Sequence, residues 1–110
     1  MTEEIINIYY YKGFPKGFGA PKEIKMNDYE LVCSRKVDRA PNHSDDIILE
    51  SHFELFNWVH EGFQPNDPEV GFNRPDSVYH TSMSVGDIVE ISGKKYVCDS
   101  SGWKEIMTVA

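Results

Sequence analysis

A chain of 110 residues, 40% of them hydrophobic and 13% aromatic, is long enough for one packed domain and too apolar for disorder. Its formal net charge of −7 disfavours unaided binding to DNA, RNA or anionic lipid, where affinity rests on Lys and Arg neutralising phosphate. No stretch reaches the ~18 apolar residues of a spanning helix, and the opening Met-Thr-Glu-Glu lacks the basic-then-apolar order of a signal peptide.

Residues Glu4–Tyr11 read as a strand, with Ile6, Ile8 and Tyr10 on one side and Ile5, Tyr9 and Tyr11 on the other. Two apolar sides both need cover, which predicts a central position. Lys12–Pro21 breaks the pattern with Gly13, Pro15, Gly17, Gly19 and Pro21 and is predicted to be a long loop. Asp28–Val37 is a second strand: Tyr29, Leu31 and Cys33 face one way, Glu30, Ser34 and Lys36 the other, with Val32 out of step. Asp38–Asn42 is a polar connection.

The next segment has helical spacing. Leu49, Phe53, Phe56, His60 and Phe63 recur along one side, flanked by Ile48, His52, Leu55 and Val59, with Glu50, Glu54, Asn57 and Glu61 opposite. Two starts compete. Ser44 can cap the helix with Asp45 and Asp46 in its first turn, or Ser51-His52-Phe53-Glu54 can act as a capping box further on. Gly62 is the expected stop. Gln64–Ser77 is predicted to be loop, after which Asp87–Ser92 and Lys95–Cys98 form strands joined by a tight turn at Ser92-Gly93-Lys94. Asp99–Gly102 turns the chain again into a short last strand, Trp103–Met107. Cys33 and Cys98 fall on strands, too few and too far apart for a disulfide scaffold, so reduced thiols in a cytoplasm are expected.

Four features invite a functional reading. His52 and His60 share the helix's apolar side but stand eight residues apart, not at the i, i+4 spacing of paired ligands, and His43 and His80 lie in loops. No metal site is expected. The loop Lys12-Gly13-Phe14-Pro15-Lys16-Gly17-Phe18-Gly19 offers backbone amides and lysines to a phosphate, although Pro15 interrupts the amides and no GxxxxGK[ST] pattern is present. Residues 1–27 carry four Lys against three Glu, while residues 28–76 carry four Lys or Arg against eleven acids. That second stretch includes the acidic helix side, Glu50, Glu54 and Glu61 with Trp58 beside them, a combination suited to a partner's basic surface. Asp87, Asp99 and Ser100 stand near turns without a catalytic motif, and Ser84-Val85-Gly86-Asp87 reads as a strand start in which Asp87 bonds locally.

The C-terminal half carries a resemblance. Phe53-Glu54-Leu55-Phe56-Asn57 is followed by Ser82-Met83-Ser84-Val85-Gly86-Asp87-Ile88-Val89, then Tyr96-Val97-Cys98-Asp99-Ser100 and Gly102-Trp103-Lys104-Glu105-Ile106. This order resembles the YodL-like domains, small domains carried by bacteriophages and conjugative elements. The likeness spans residues 52–106 and departs at Ser101, where an aromatic is common. It implies a mobile-element habitat in a bacterial host and transfers no functional residue.

The fold expected is a single α+β domain over residues 1–110, with long Gly/Pro loops at 12–22 and 64–77. Its mostly antiparallel sheet has four to five strands, with the N-terminal strand against the C-terminal hairpin and one main helix packed on a face. The function expected is that of a non-enzymatic accessory protein in the host cytoplasm. It would bind a host or phage protein through Glu50, Glu54, Trp58 and Glu61, without cofactor, nucleic acid or membrane. The competing expectation is a small nucleotide- or phosphate-binding domain or enzyme using Lys12, Gly13, Lys16, Gly17 and Gly19.

Overall fold

The computed structural model describes residues 2–12, 24–57, 83, 85–99 and 102–106, with every side chain among them except those of residues 2 and 54–57. The described residues form five strands, one α-helix and a short 3-10 turn at Met26–Asp28: β1 (Thr2–Tyr11), β2 (Tyr29–Arg39), α1 (Asp45–Asn57), β3 (Ile88–Ile91), β4 (Lys94–Asp99) and β5 (Gly102–Ile106). The strands form one antiparallel sheet in the order β2-β1-β3-β4-β5. As its two apolar sides predict, β1 lies inside the sheet, and it joins the C-terminal hairpin through β3.

Register sorts the side chains into two layers, because directly opposed residues share a face. Ile8 stands opposite both Cys33 and Val89, and Ile6 opposite Ile91. These residues are buried in one cluster with Tyr10, Val32, Met83 and two residues of α1, Ile48 and Leu49. On the other face Tyr9 opposes Ile88, which opposes Val97, and a smaller cluster adds Ile24 and Tyr29.

Strand β2 departs from simple alternation. Ile8 pairs with Cys33 but Tyr9 pairs with Leu31, so Val32 is an extra residue in a bulge. The bulge lets Val32 and Cys33 both be buried, at 1% and 2% exposure, and leaves Leu31 46% exposed. Tyr29, Leu31 and Cys33 therefore do not share a side, contrary to the expectation from spacing. Of the two helix starts, the first is used: the amides of Ile47 and Ile48 bond to Ser44 O, and α1 runs from Asp45. Ser51 is not a cap. Its Oγ donates to Ile48 O within the helix at 2.9 Å. The expected stop at Gly62 lies outside the described residues.

The β3–β4 turn is built on two left-handed residues, Ser92 (φ 46°) and Gly93 (φ 94°), the mirror-type turn whose twist suits a two-residue hairpin. Ser92 also reaches β1: its amide bonds to Ile5 O at 2.9 Å, and its hydroxyl donates to the Glu4 carboxylate. Asp87 does more than the local bonding expected of it. Fully buried, it accepts the Tyr11 amide through Oδ1 at 2.9 Å, tying the end of β1 to the start of β3.

Candidate functional site

Strand β2 is an edge of the sheet, and Cys33, Arg35, Val37 and Arg39 take alternate positions opposite Ile8, Ile6, Glu4 and Thr2. Between this strand and Ile47, Ile48, Ser51 and His52 of α1 lies a cleft of about 390 Å³. Such a volume falls within the roughly 300–1,000 Å³ of small-molecule sites. Val37, Ile47 and Ile48 give it apolar walls, while Arg35, Asp38, Arg39, His43 and His52 bring charge and hydrogen-bonding groups to its lining.

His52 is the buried member, at 5% exposure, and its Nδ1 lies 2.9 Å from Ile48 O. A carbonyl oxygen only accepts, so Nδ1 carries the ring proton and Nε2 of the neutral ring is a bare acceptor. That Nε2 is buried and has no hydrogen-bond partner among the described residues. Burial pushes the His52 pKa down, the Ile48 bond opposes this, and the charge of Arg35 lowers it further.

The two arginines of the cleft differ. Arg39 Nη2 lies 2.6 Å from Asp45 Oδ1, and its Nε is 3.3 Å from Glu4 Oε1. The Glu4 contact is one of charge alone, since Nε makes no hydrogen bond. Asp45 also accepts the Tyr96 hydroxyl at 2.6 Å, and that bond together with Arg39 outweighs desolvation to hold its carboxyl below the ordinary range. Arg35, in contrast, forms no ion pair with a carboxylate among the described residues.

On the opposite face Asn7, Glu90 and Lys95 line up across β1, β3 and β4. Glu90 accepts from Asn7 Nδ2 at 2.7 Å and from Tyr9 Oη at 3.5 Å, and Lys95 Nζ lies 2.8 Å from its other oxygen. Desolvation, which alone would raise the Glu90 pKa, is outweighed by the hydrogen bonds from Lys95 and Asn7, so the group stays a carboxylate. Its partners saturate it, which suits it to joining strands rather than to reacting. Cys33 and Cys98 are buried thiols in no disulfide, and desolvation pushes each up to about 11, far from a nucleophile's range. Among the described residues no three His, Cys, Asp or Glu side chains gather to hold a metal, and no helix is long and apolar enough to cross a membrane.

Of the residues singled out on the acidic helix side, Glu50 is exposed and accepts Trp103 Nε1 at 3.0 Å. The Glu54 side chain, Trp58 and Glu61 lie outside what is described. In the glycine-rich loop only Lys12 is described: it directly follows β1, and its Nζ lies 3.9 Å from Glu30 Oε1. Gly13, Lys16, Gly17 and Gly19 lie outside the described residues. The reading from spacing expects no metal at His52 and passes over Arg35. A signal for Arg35 was available, since it alternates with Cys33 and Val37 on the inward side of β2.

A mimivirus relative, "Uncharacterized protein R785" of Acanthamoeba polyphaga mimivirus, is 35% identical over 107 residues, spanning 94% of this chain and 93% of its own length. The chain belongs to the family of that viral protein. No protein-family model matches the chain, and no solved structure matches it.

Proposed function

We propose that this chain is a non-enzymatic accessory protein of a virus or mobile element, working in the host cytoplasm by binding a protein through the acidic side of α1. In this reading α1 lies across the face of the sheet that holds Ile6, Ile8 and Tyr10, and turns Asp46, Ile47 and Glu50 outward. By helical spacing in the sequence, Glu54, Trp58 and Glu61 belong to the same side. The observation that carries the reading is the state of that side: Asp46 and Glu50 are exposed one turn apart, and no cation among the described residues pairs with either. Ile47 between them is 46% exposed. Carboxylates without counterions among the described residues, beside an exposed aliphatic group, match a basic and partly apolar partner. The viral relative and the YodL-like resemblance support the setting.

The test is capture from host lysate on the immobilised chain, compared with an Asp46→Lys, Glu50→Lys double variant. A partner held by the native chain, weakened by salt and lost with the double variant is expected. Equal retention by both would refute the reading, since surface charge would then be irrelevant to binding.

A further inference from the structure

We propose that the cleft between β2 and α1 binds a small organic acid that also carries an N–H or O–H donor on an apolar body. This is the chemistry of an α-amino acid with an apolar side chain, or of its α-hydroxy counterpart. The site shares Ile47 with the acidic side of α1 but neither of its carboxylates, and its test does not depend on that reading.

Three observations define the ligand. Arg35 presents a guanidinium that no described carboxylate neutralises, on a wall of the cleft. A guanidinium in this state suits one carboxylate, which its fork of N–H donors can grip with two bonds. Arg39 adds no free charge, being held by Glu4 and Asp45. His52 supplies the second feature. With Nδ1–H committed to Ile48 O, Nε2 can only accept, and it is buried without a partner. A buried acceptor left unmade is costly, so a ligand that donates to it gains a bond that an apolar occupant would not make. An anion alone does not answer this need; a donor is required.

The third feature is the remainder of the lining. Val37, Ile47 and Ile48 form an apolar surface, and Ile47 is 46% exposed at its rim, ready to be covered. Asp38, also on the lining and in no ion pair with a described cation, favours a ligand whose donor is an ammonium. A single guanidinium, unpaired among the described residues, also favours one negative charge over the two of a phosphate monoester.

The test uses the full ¹⁵N-labelled chain and four probes: L-phenylalanine, L-3-phenyllactate, 3-phenylpropanoate and phenethylamine. The first two carry acid, donor and ring; the third lacks the donor and the fourth the acid. Saturable shifts are expected at the amides of Ile47, Ser51 and His52 and at the His52 ring nitrogens for the first two. 3-Phenylpropanoate and phenethylamine should each bind at least about tenfold more weakly, one charged hydrogen bond being lost. Arg35→Gln, at a half-buried position that leaves the core intact, should weaken both acids by about tenfold or more. His52→Phe should weaken them while leaving the fold's amide spectrum in place. Absence of saturation by both donor-bearing acids up to about 10 mM would overturn the proposal, as would equal binding by the Arg35→Gln chain or by 3-phenylpropanoate.

Discussion

Glu90 and His52 are both buried polar side chains, at 9% and 5% exposure, but the fold treats them differently. Glu90 meets Asn7, Tyr9 and Lys95, and each bond favours its charged form. Replacing Lys95 by Met strands the carboxylate with only neutral donors and should cost about 1–3 kcal/mol in urea unfolding at pH 7. The Glu90→Gln, Lys95→Met double variant should lose less than the single one, because no buried charge is left over. His52 has one partner and a folded pKa below its ordinary 6.5. Between those two values the unfolded chain binds more protons than the folded one, so stability must fall as pH drops below about 6.5. Thermal melts between neutral and mildly acidic pH should show this slope, and His52→Phe should flatten it. Asp45 and Glu90, whose folded values are depressed, add a further loss only in stronger acid, as each carboxylate is protonated.

At the scale of elements, the β3–β4 hairpin turns on Gly93, whose φ of 94° is a left-handed conformation, with open space where a Cβ would stand. Gly93→Ala should therefore cost about 1–2 kcal/mol from backbone strain alone, with the amide spectrum of the sheet otherwise unchanged. This turn was legible from Ser92-Gly93-Lys94 because its chemistry is local. So was the interior position of β1, since Ile6, Ile8 and Tyr10 on one side and Tyr9 and Tyr11 on the other demand neighbours. The bulge in β2 was visible only as a break at Val32; its consequence, that Leu31 and Cys33 part company, depends on pairing with β1. The choice between Ser44 and Ser51 as helix start is likewise not local. It is decided by Ile48 and Leu49, which are buried with the sheet's core only if the helix has already begun.

At the scale of the whole molecule, α1 meets the sheet through three kinds of contact. Leu49 is fully buried with Ile6, Ile8 and Val89; Tyr96 donates to Asp45; and Trp103 donates to Glu50 and meets Phe53 edge-on at 6.4 Å. The polar tethers join residues 51 and 53 positions apart, and the cleft joins Arg35 to His52. No periodicity in the chain brings such pairs together, which is why the cleft could not be read from spacing. Both candidate surfaces depend on the same circumstance, that Leu49 anchors α1 to the strands. Urea unfolding of Leu49→Ala measures this directly. A loss of about 2–5 kcal/mol is the predicted result, the cost of emptying a fully buried leucine site. A loss within about 0.5 kcal/mol, the range of an exposed surface position, would contradict the account.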